Sequence, residues 1–201
     1  MRTLATIPLQ ALTRAKSRLS SLLDATQRQQ LVLSLAQHTI DTLQRIPGIE
    51  KVLVVTPDPQ IATTATRWGA LAVLQAEPGL NRAIRAVQHA ARQEGYSALL
   101  IVLGDLPLLA PGPVRNALAL LEPRGVVLAP DRHGTGTNLL ALAPPGVIEP
   151  AFGEHSRRRH RLAAVRARCT LRELWAWPLA LDVDTAADLE LAGIAAPREG
   201  S

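Results

Sequence analysis

Only one cysteine, five aromatic residues and two lysines occur in the 201-residue chain, and each scarcity removes a class of protein. With Cys169 alone, neither an intramolecular disulfide nor a cysteine-clustered zinc site can form. No uncharged apolar run approaches the roughly 18 to 20 residues that a membrane span needs. The opening segment, MRTLATIPLQ, lacks the apolar core and small-residue cleavage site of a secretory signal. These absences predict a cytoplasmic protein. No G-x-S-x-G, H-E-x-x-H or G-x-G-x-x-G stretch occurs, so elbow-type hydrolase, zincin and dinucleotide-binding readings have no support. The five histidines are dispersed and are expected at the surface.

What is present is leucine, alanine and arginine. Hydrophobic side chains make up 47% of the chain, enough for a packed globule rather than a disordered one. Basic residues outnumber acidic ones 22 to 17, a formal charge of +5. Base-stacking platforms for nucleic acid need aromatics interleaved with the cations. Here Trp68, Tyr96, Phe152, Trp175 and Trp177 are scattered, so small anionic substrates fit better than nucleic acid or a membrane. The length suits a single domain over 1–196 with a frayed tail over 197–201.

Strand-like and helix-like segments alternate. Strands are expected over Thr3–Leu9, Lys51–Thr56, Leu71–Leu74, Ser97–Leu103, Val126–Pro130, Thr137–Ala143 and, briefly, Leu179–Leu181. Helices are expected after Asp24 and after Pro57-Asp58, then over Asn81–Glu94, Pro113–Leu121, Arg157–Arg168 and Ala186–Leu191. KVLVVT and SALLIVL are continuous apolar runs, the pattern of strands buried on both faces. Such alternation implies right-handed crossovers, a mostly parallel sheet and an α/β architecture with both faces covered. Ligands of these sheets sit beyond the carboxyl ends of the strands.

Five strand-end or loop segments therefore carry the candidate chemistry. In PLQALTRAKSRL, Arg14, Lys16 and Arg18 cluster after the first strand, either as a cradle for polyphosphate or as a solvated basic loop. Asp105 ends the apolar run of the fourth strand, either as a ligand for metal or ribose or as a turn cap. Asp182 and Asp184 alternate to one side of an extended chain. With Asp105 they form a candidate magnesium cage, although Asp184 also stands where a helix N-cap belongs. DRHGTGTN (131–138) offers Gly134, Gly136, Thr135, Thr137 and Asn138 to a ligand, or simply makes a tight hairpin turn. FGEHS, followed by RRRHR, places Gly153 and a capping Ser156 at the start of a basic helix, a setting for phosphate or carboxylate or merely a solvated face. Pro78-Gly79-Leu80-Asn81, the turn that opens the Asn81–Glu94 helix, either receives a base or ribose or is simply a helix start.

Together, IPLQALTRAKSRL, PGLNRAI, LGDLPLL, APDRHGTGTNLL, FGEHSRRRH and LDVDTAADL resemble, in order and over nearly the whole chain, the guanylyltransferases of coenzyme F-420 biosynthesis. These act on phosphoenolpyruvate, 2-phospho-L-lactate or 3-phosphoglycerate. The resemblance implies a three-layer α/β/α sandwich of the nucleotide-diphospho-sugar transferase type, with a mostly parallel mixed sheet. It implies transfer of GMP from GTP to the phosphate of phosphoenolpyruvate or 2-phospho-L-lactate, with release of pyrophosphate. By the same resemblance Thr137, Gly153 and Ser156 hold the acid, and Arg14, Lys16, Gly79 and Asn81 hold the nucleotide. Arg14 and Lys16 also assist the reaction, while Asp105, Asp182 and Asp184 bind Mg2+. Gln10, where the family often has lysine, and Glu154-His155, where it commonly has Pro-Gly, depart from the pattern. A phosphate nucleophile is already ionised at neutral pH, so the task is to offset anion repulsion rather than to remove a proton. Another nucleotidyltransferase of the same fold, of sugar-phosphate or molybdopterin type, would carry a glycine-rich LAGGxSxRMG-like loop where this chain has TRAKSRL. A non-catalytic basic RNA-binding module is the alternative from a different class.

Overall fold

A computed structural model of the chain describes residues 1–14, 16–75 and 79–195, with Arg14 described by its backbone alone. In chain order the elements are β1 (Thr3–Pro8), α1 (Ala25–Gln44), β2 (Ile49–Thr56), α2 (Pro59–Arg67), β3 (Leu71–Leu74), α3 (Leu80–Gln93) and β4 (Ala98–Val102). After these come α4 (Pro111–Ala119), β5 (Gly125–Ala129), β6 (Leu139–Ala143), α5 (Ser156–Ala167), β7 (Thr170–Glu173), α6 (Trp177–Ala180) and α7 (Ala186–Leu191). The tail expected from residue 197 lies outside the described residues.

The seven strands form one sheet in the order β3-β2-β1-β4-β6-β5-β7. β3, β2, β1 and β4 are mutually parallel, and β5 pairs in parallel with β7, while β6 runs antiparallel to both of its neighbours. Side-chain alternation splits the core in two, as the period of a strand requires. Ala5, Ile7, Leu100 and Val102 face Ile40 and Leu43 of α1, Ile61 of α2 and Val114 of α4. Leu4, Leu99, Ile101 and Leu140 face Ile84 and Val87 of α3 and Ala164 of α5. This is the expected three-layer sandwich with a mixed, mostly parallel sheet.

Local chemistry fixes the helix starts that matter. Asp24 accepts from Gln27 N at 2.8 Å while the Gln27 side chain accepts from Asp24 N, a reciprocal cap that opens α1. Two short segments differ from expectation. Leu179–Leu181 is not a strand. Pro178 sits in the first turn of a helix, and Ala180 N and Leu181 N donate back to Ala176 O and Trp177 O. β7 carries no continuous apolar signal because it is an edge strand, half-buried and exposed by turns. Among the described residues no helix is long and apolar enough to cross a membrane.

A small third cluster, Leu19, Leu23, Leu35, Val183 and Leu189, lies apart from the sheet. It joins the loop after β1 to the segment before α7, and so brings Lys16 and Asp184 to one place.

Candidate active site

β1 and β4 run in parallel, so the segments after Pro8 and Val102 leave the sheet at the same edge. β6 runs the other way and delivers the two residues before it, Thr137-Asn138, to that edge as well. Leu103 N donates to Asn138 O at 3.0 Å across the junction. Around this edge lies a cleft of about 870 Å³ lined by Lys16, Gly79, Asp105, Thr137, Gly153, Ser156, Asp182 and Asp184, among others. Eight of the ten expected site residues thus share one cavity. Arg14 closes a short 3-10 turn by its backbone, and its side chain lies outside the described residues. Asn81 is the other exception.

Lys16 has the most specific setting. Its backbone is left-handed, φ 53° and ψ 39°, a conformation that costs a non-glycine residue about 1 kcal/mol or more. That bend sends the side chain inward, where Nζ donates to Asp105 Oδ2 at 2.6 Å and to Asp184 Oδ1 at 3.0 Å. Burial disfavours the ammonium, but the two carboxylates more than offset it and hold its pKa above the ordinary lysine value. Arg18 reaches the other Asp184 oxygen at 3.8 Å.

The expected cage of three aspartates is consequently not assembled. Among the described residues no group of three or more His, Cys, Asp or Glu is gathered to hold a metal ion, and the Lys16 ammonium stands between Asp105 and Asp184. What is left for a cation is a pair. Asp105 Oδ1 is buried and has no hydrogen-bond partner among the described residues. Asp182 lies close enough that burial first, and then the Asp105 charge, push its pKa up to about 6. Two carboxylates holding more negative charge than their neighbours neutralise, one with an orphaned oxygen, suit a hard divalent cation. Mg2+ in particular takes one or two carboxylates and leaves its other positions to water and phosphate.

Neither aspartate near a turn serves as a cap. Among the described residues the Asp105 side chain binds only Lys16, while its carbonyl accepts from Val183 N at 3.1 Å and so fixes the 182–184 segment beside it. α7 is capped by Thr185 together with Asp188, not by Asp184. Asp188 is buried and accepts from Arg132 at 2.6 Å. Its pKa is lowered: burial works the other way, but the Thr185 hydroxyl, the Asp184 and Thr185 amides and Arg132 outweigh it. Asn138, expected to offer its amide to a ligand, instead donates to Leu179 O, Ala180 O and, at 3.3 Å, Asp182 Oδ1. It holds the Asp182 carboxylate in place.

The opposite wall comes from the loop before α5. The DRHGTGTN segment is a wide loop rather than a tight turn, folded over Asp131, whose carboxylate accepts from Thr135 N at 2.8 Å. A Cβ at Gly136 would lie 2.7 Å from that carboxylate. Gly153 has φ +103°, a backbone that only glycine adopts without strain. Ser156 does not cap α5. His155 takes the cap position in left-handed backbone without capping the helix through its side chain, and Ser156 begins the helix proper, buried and lining the cleft. Asn81 is spent on the same loop, its Oδ1 accepting from Phe152 N at 2.7 Å and its Nδ2 donating to Phe152 O at 3.1 Å.

One residue that matters here was expected at the surface. His160 is fully buried in α5, packed edge-on to Phe152, with its ring nitrogens on Thr137 Oγ1 and Ala151 N. The sequence does hold the signal: Ser156, His160 and Ala164 recur every four residues and form the buried face of α5. The arginines around them are largely engaged. Arg157 and Arg161 both pair with Glu173, whose pKa is lowered chiefly by the Arg157 hydrogen bond. Arg159 donates to Phe152 O.

With this geometry in place, the comparisons with known proteins agree with one another. The family described as guanylyl transferase, CofC like, matches residues 3–194. A phosphoenolpyruvate guanylyltransferase of Sphaerobacter thermophilus is 46% identical over 194 residues, covering 96% of this chain and 94% of that protein. One of Conexibacter woesei is 37% identical, covering 100% and 92%. Two solved structures share the fold alone. A provisionally assigned nucleotide-diphospho-sugar transferase of Desulfovibrio desulfuricans G20 has TM-score 0.76 at 18% identity, covering 94% of this chain and 85% of that one. A nucleotidyl transferase of Methanothermobacter has TM-score 0.69 at 14% identity, covering 96% of each. The chain belongs to the CofC-like guanylyl transferase family.

Proposed function

We propose that the cleft transfers GMP from GTP to the phosphate of phosphoenolpyruvate, with pyrophosphate as the leaving group. The observation that carries this reading is the Asp105–Asp182 pair, with an orphaned carboxylate oxygen, set beside the buried Lys16 ammonium at the strand ends. The names of the curated relatives supply the acid and nucleotide; 2-phospho-L-lactate shares the same phosphate and carboxylate and is the second acid to test. Asp105 and Asp182 are the residues that would hold a divalent cation. Bound there, Mg2+ would supply positive charge to phosphate oxygens of the nucleotide.

The remaining roles follow from the side chains. Lys16 places a fixed ammonium near the developing charge, and its two carboxylate partners keep it protonated throughout the neutral range. Gly79, Leu80 and Ala83 at the start of α3 form the nucleotide wall, with Leu9 and Val55 offering apolar contact to a base. Thr137, Ser156 and the open backbone at Gly153 face the acid. No side chain need remove a proton, because the attacking phosphate oxygen is already ionised. Catalysis then rests on alignment and charge neutralisation.

The test is pyrophosphate release with GTP and Mg2+, supplied in turn with phosphoenolpyruvate, 2-phospho-L-lactate and 3-phosphoglycerate, with ATP as control nucleotide. The reading expects turnover with GTP and phosphoenolpyruvate, and a loss of about 10²–10³ in kcat for Asp105→Asn. Asp105→Asn at wild-type rate removes the metal pair from the reaction.

A further inference from the structure

The buried histidine of α5 determines which way a cleft hydroxyl points. Ala151 N is a backbone donor, and it lies 2.9 Å from His160 Nε2. That nitrogen must therefore be the acceptor and carry no proton. In a neutral imidazole the proton is then on Nδ1, 3.0 Å from Thr137 Oγ1. Nδ1 donates, Thr137 Oγ1 accepts, and the hydroxyl proton is directed away from the histidine. Thr137 is otherwise buried, and the side open to it is the cleft. We infer that His160 is a positioning residue that fixes the Thr137 hydroxyl as a hydrogen-bond donor toward the anionic acid. The inference rests on the proposed acid subsite at Thr137 and adds a residue outside the cleft that sets its polarity.

The surroundings hold the ring in this state. Phe152 packs against it with centroids 5.0 Å apart at 71°. Phe152 is itself clamped through its backbone by Asn81 and by Arg159. Burial, and after it the nearby Arg159 charge, push the His160 pKa down to about 4, so the ring stays neutral at neutral pH. A doubly protonated ring would set an Nε2 proton against the Ala151 N–H. Free threonine hydroxyls rotate between donating and accepting. This one is oriented before the substrate arrives, which lowers the ordering cost of binding an acceptor-only group.

Two measurements test this, the first of them independent of the subsite itself. Long-range ¹H–¹⁵N spectra of the ¹⁵N-histidine-labelled full chain should show His160 with Nδ1 protonated and Nε2 bare, with or without phosphoenolpyruvate. The opposite tautomer overturns the inference whatever the kinetics show. Steady-state kinetics then divide the two ring functions. His160→Gln keeps an acceptor near the Nε2 position and loses the Nδ1 donor. His160→Asn keeps a donor near the Nδ1 position and loses the acceptor. His160→Gln should raise KM for phosphoenolpyruvate about tenfold, the worth of one hydrogen bond to a charged group, with KM for GTP changed less than about twofold. His160→Asn should recover most of that loss, and in a Thr137→Val background His160→Gln should add nothing further. Equal effects of the two variants, or equal effects on both substrates, overturn the positioning role. A Thr137→Val enzyme with unchanged KM for phosphoenolpyruvate overturns the subsite reading instead, a result the tautomer spectrum does not depend on.

Discussion

Replacing Lys16 by methionine separates the electrostatics of the cleft from its packing. Methionine keeps most of the apolar stem and removes the ammonium that binds Asp105 and Asp184. Breaking a fully buried ion pair by deleting one partner costs about 3–5 kcal/mol. Here the lysine side chain is 9% exposed, but its partners are 25% and 45% exposed, so water screens the carboxylates left behind. The expected loss of folding stability is therefore smaller, about 1–2 kcal/mol. The catalytic loss is larger, because a preorganised charge in a sheltered cleft contributes about 10²–10³ in kcat. Lys16→Asn serves as the companion variant. Asparagine tolerates the left-handed backbone that Lys16 adopts, so it should recover part of the stability and none of the rate. Urea unfolding and pyrophosphate release on the same preparations supply both numbers. A Lys16→Met enzyme retaining more than about a tenth of wild-type kcat would refute the assigned role.

Three further outcomes are expected. His160, buried with a pKa near 4, is charged in the unfolded chain below about pH 6.5 but not in the folded one. Its contribution is fully present above that pH and is lost as the pH falls toward 4. Wild-type stability should thus drop by about 2 kcal/mol more than that of His160→Gln between pH 7.5 and pH 5, and parallel curves would contradict it. Asn81→Ala should raise KM for phosphoenolpyruvate several-fold and leave KM for GTP nearly unchanged, because the Asn81 amide holds Phe152 beside Gly153. An effect confined to GTP would return Asn81 to the nucleotide site. Ser156→Ala should likewise act on the acid more than on GTP, by about fivefold to tenfold, as steady-state kinetics with each substrate varied would show.

Much of the fold was legible because its central strands are buried on both faces. ALLIV at β4 and VLVV in β2 are uninterrupted apolar runs that alternation then divides between two cores. Edge strand β7, TLRE, has one half-buried face and no such run. Leu179–Leu181 reads as a strand by composition, yet Pro178 just before it sits in the first turn of a helix over Trp177–Ala180. The site was legible as a set of strand ends, since a sheet of this kind collects them at one edge. What the sequence did not disclose is how its polar groups pair. The Lys16 ammonium occupies part of the space assigned to a metal because a left-handed residue redirects the chain. Asn81 and Asn138 bind backbone 71 and 41 residues away, distances that local pattern cannot encode. His160 looked exposed amid arginines, although its spacing from Ser156 and Ala164 placed it on the buried face.

A crystal grown with GTP and Mn2+, and measured for anomalous scattering, addresses the central claim most directly. The account predicts a peak bonded at about 2.1 Å to oxygens of Asp105 and Asp182, with a phosphate oxygen of the nucleotide as a further ligand and the Lys16 ammonium outside the coordination sphere. A peak bonded to neither carboxylate, with the nucleotide bound in the cleft, would contradict it.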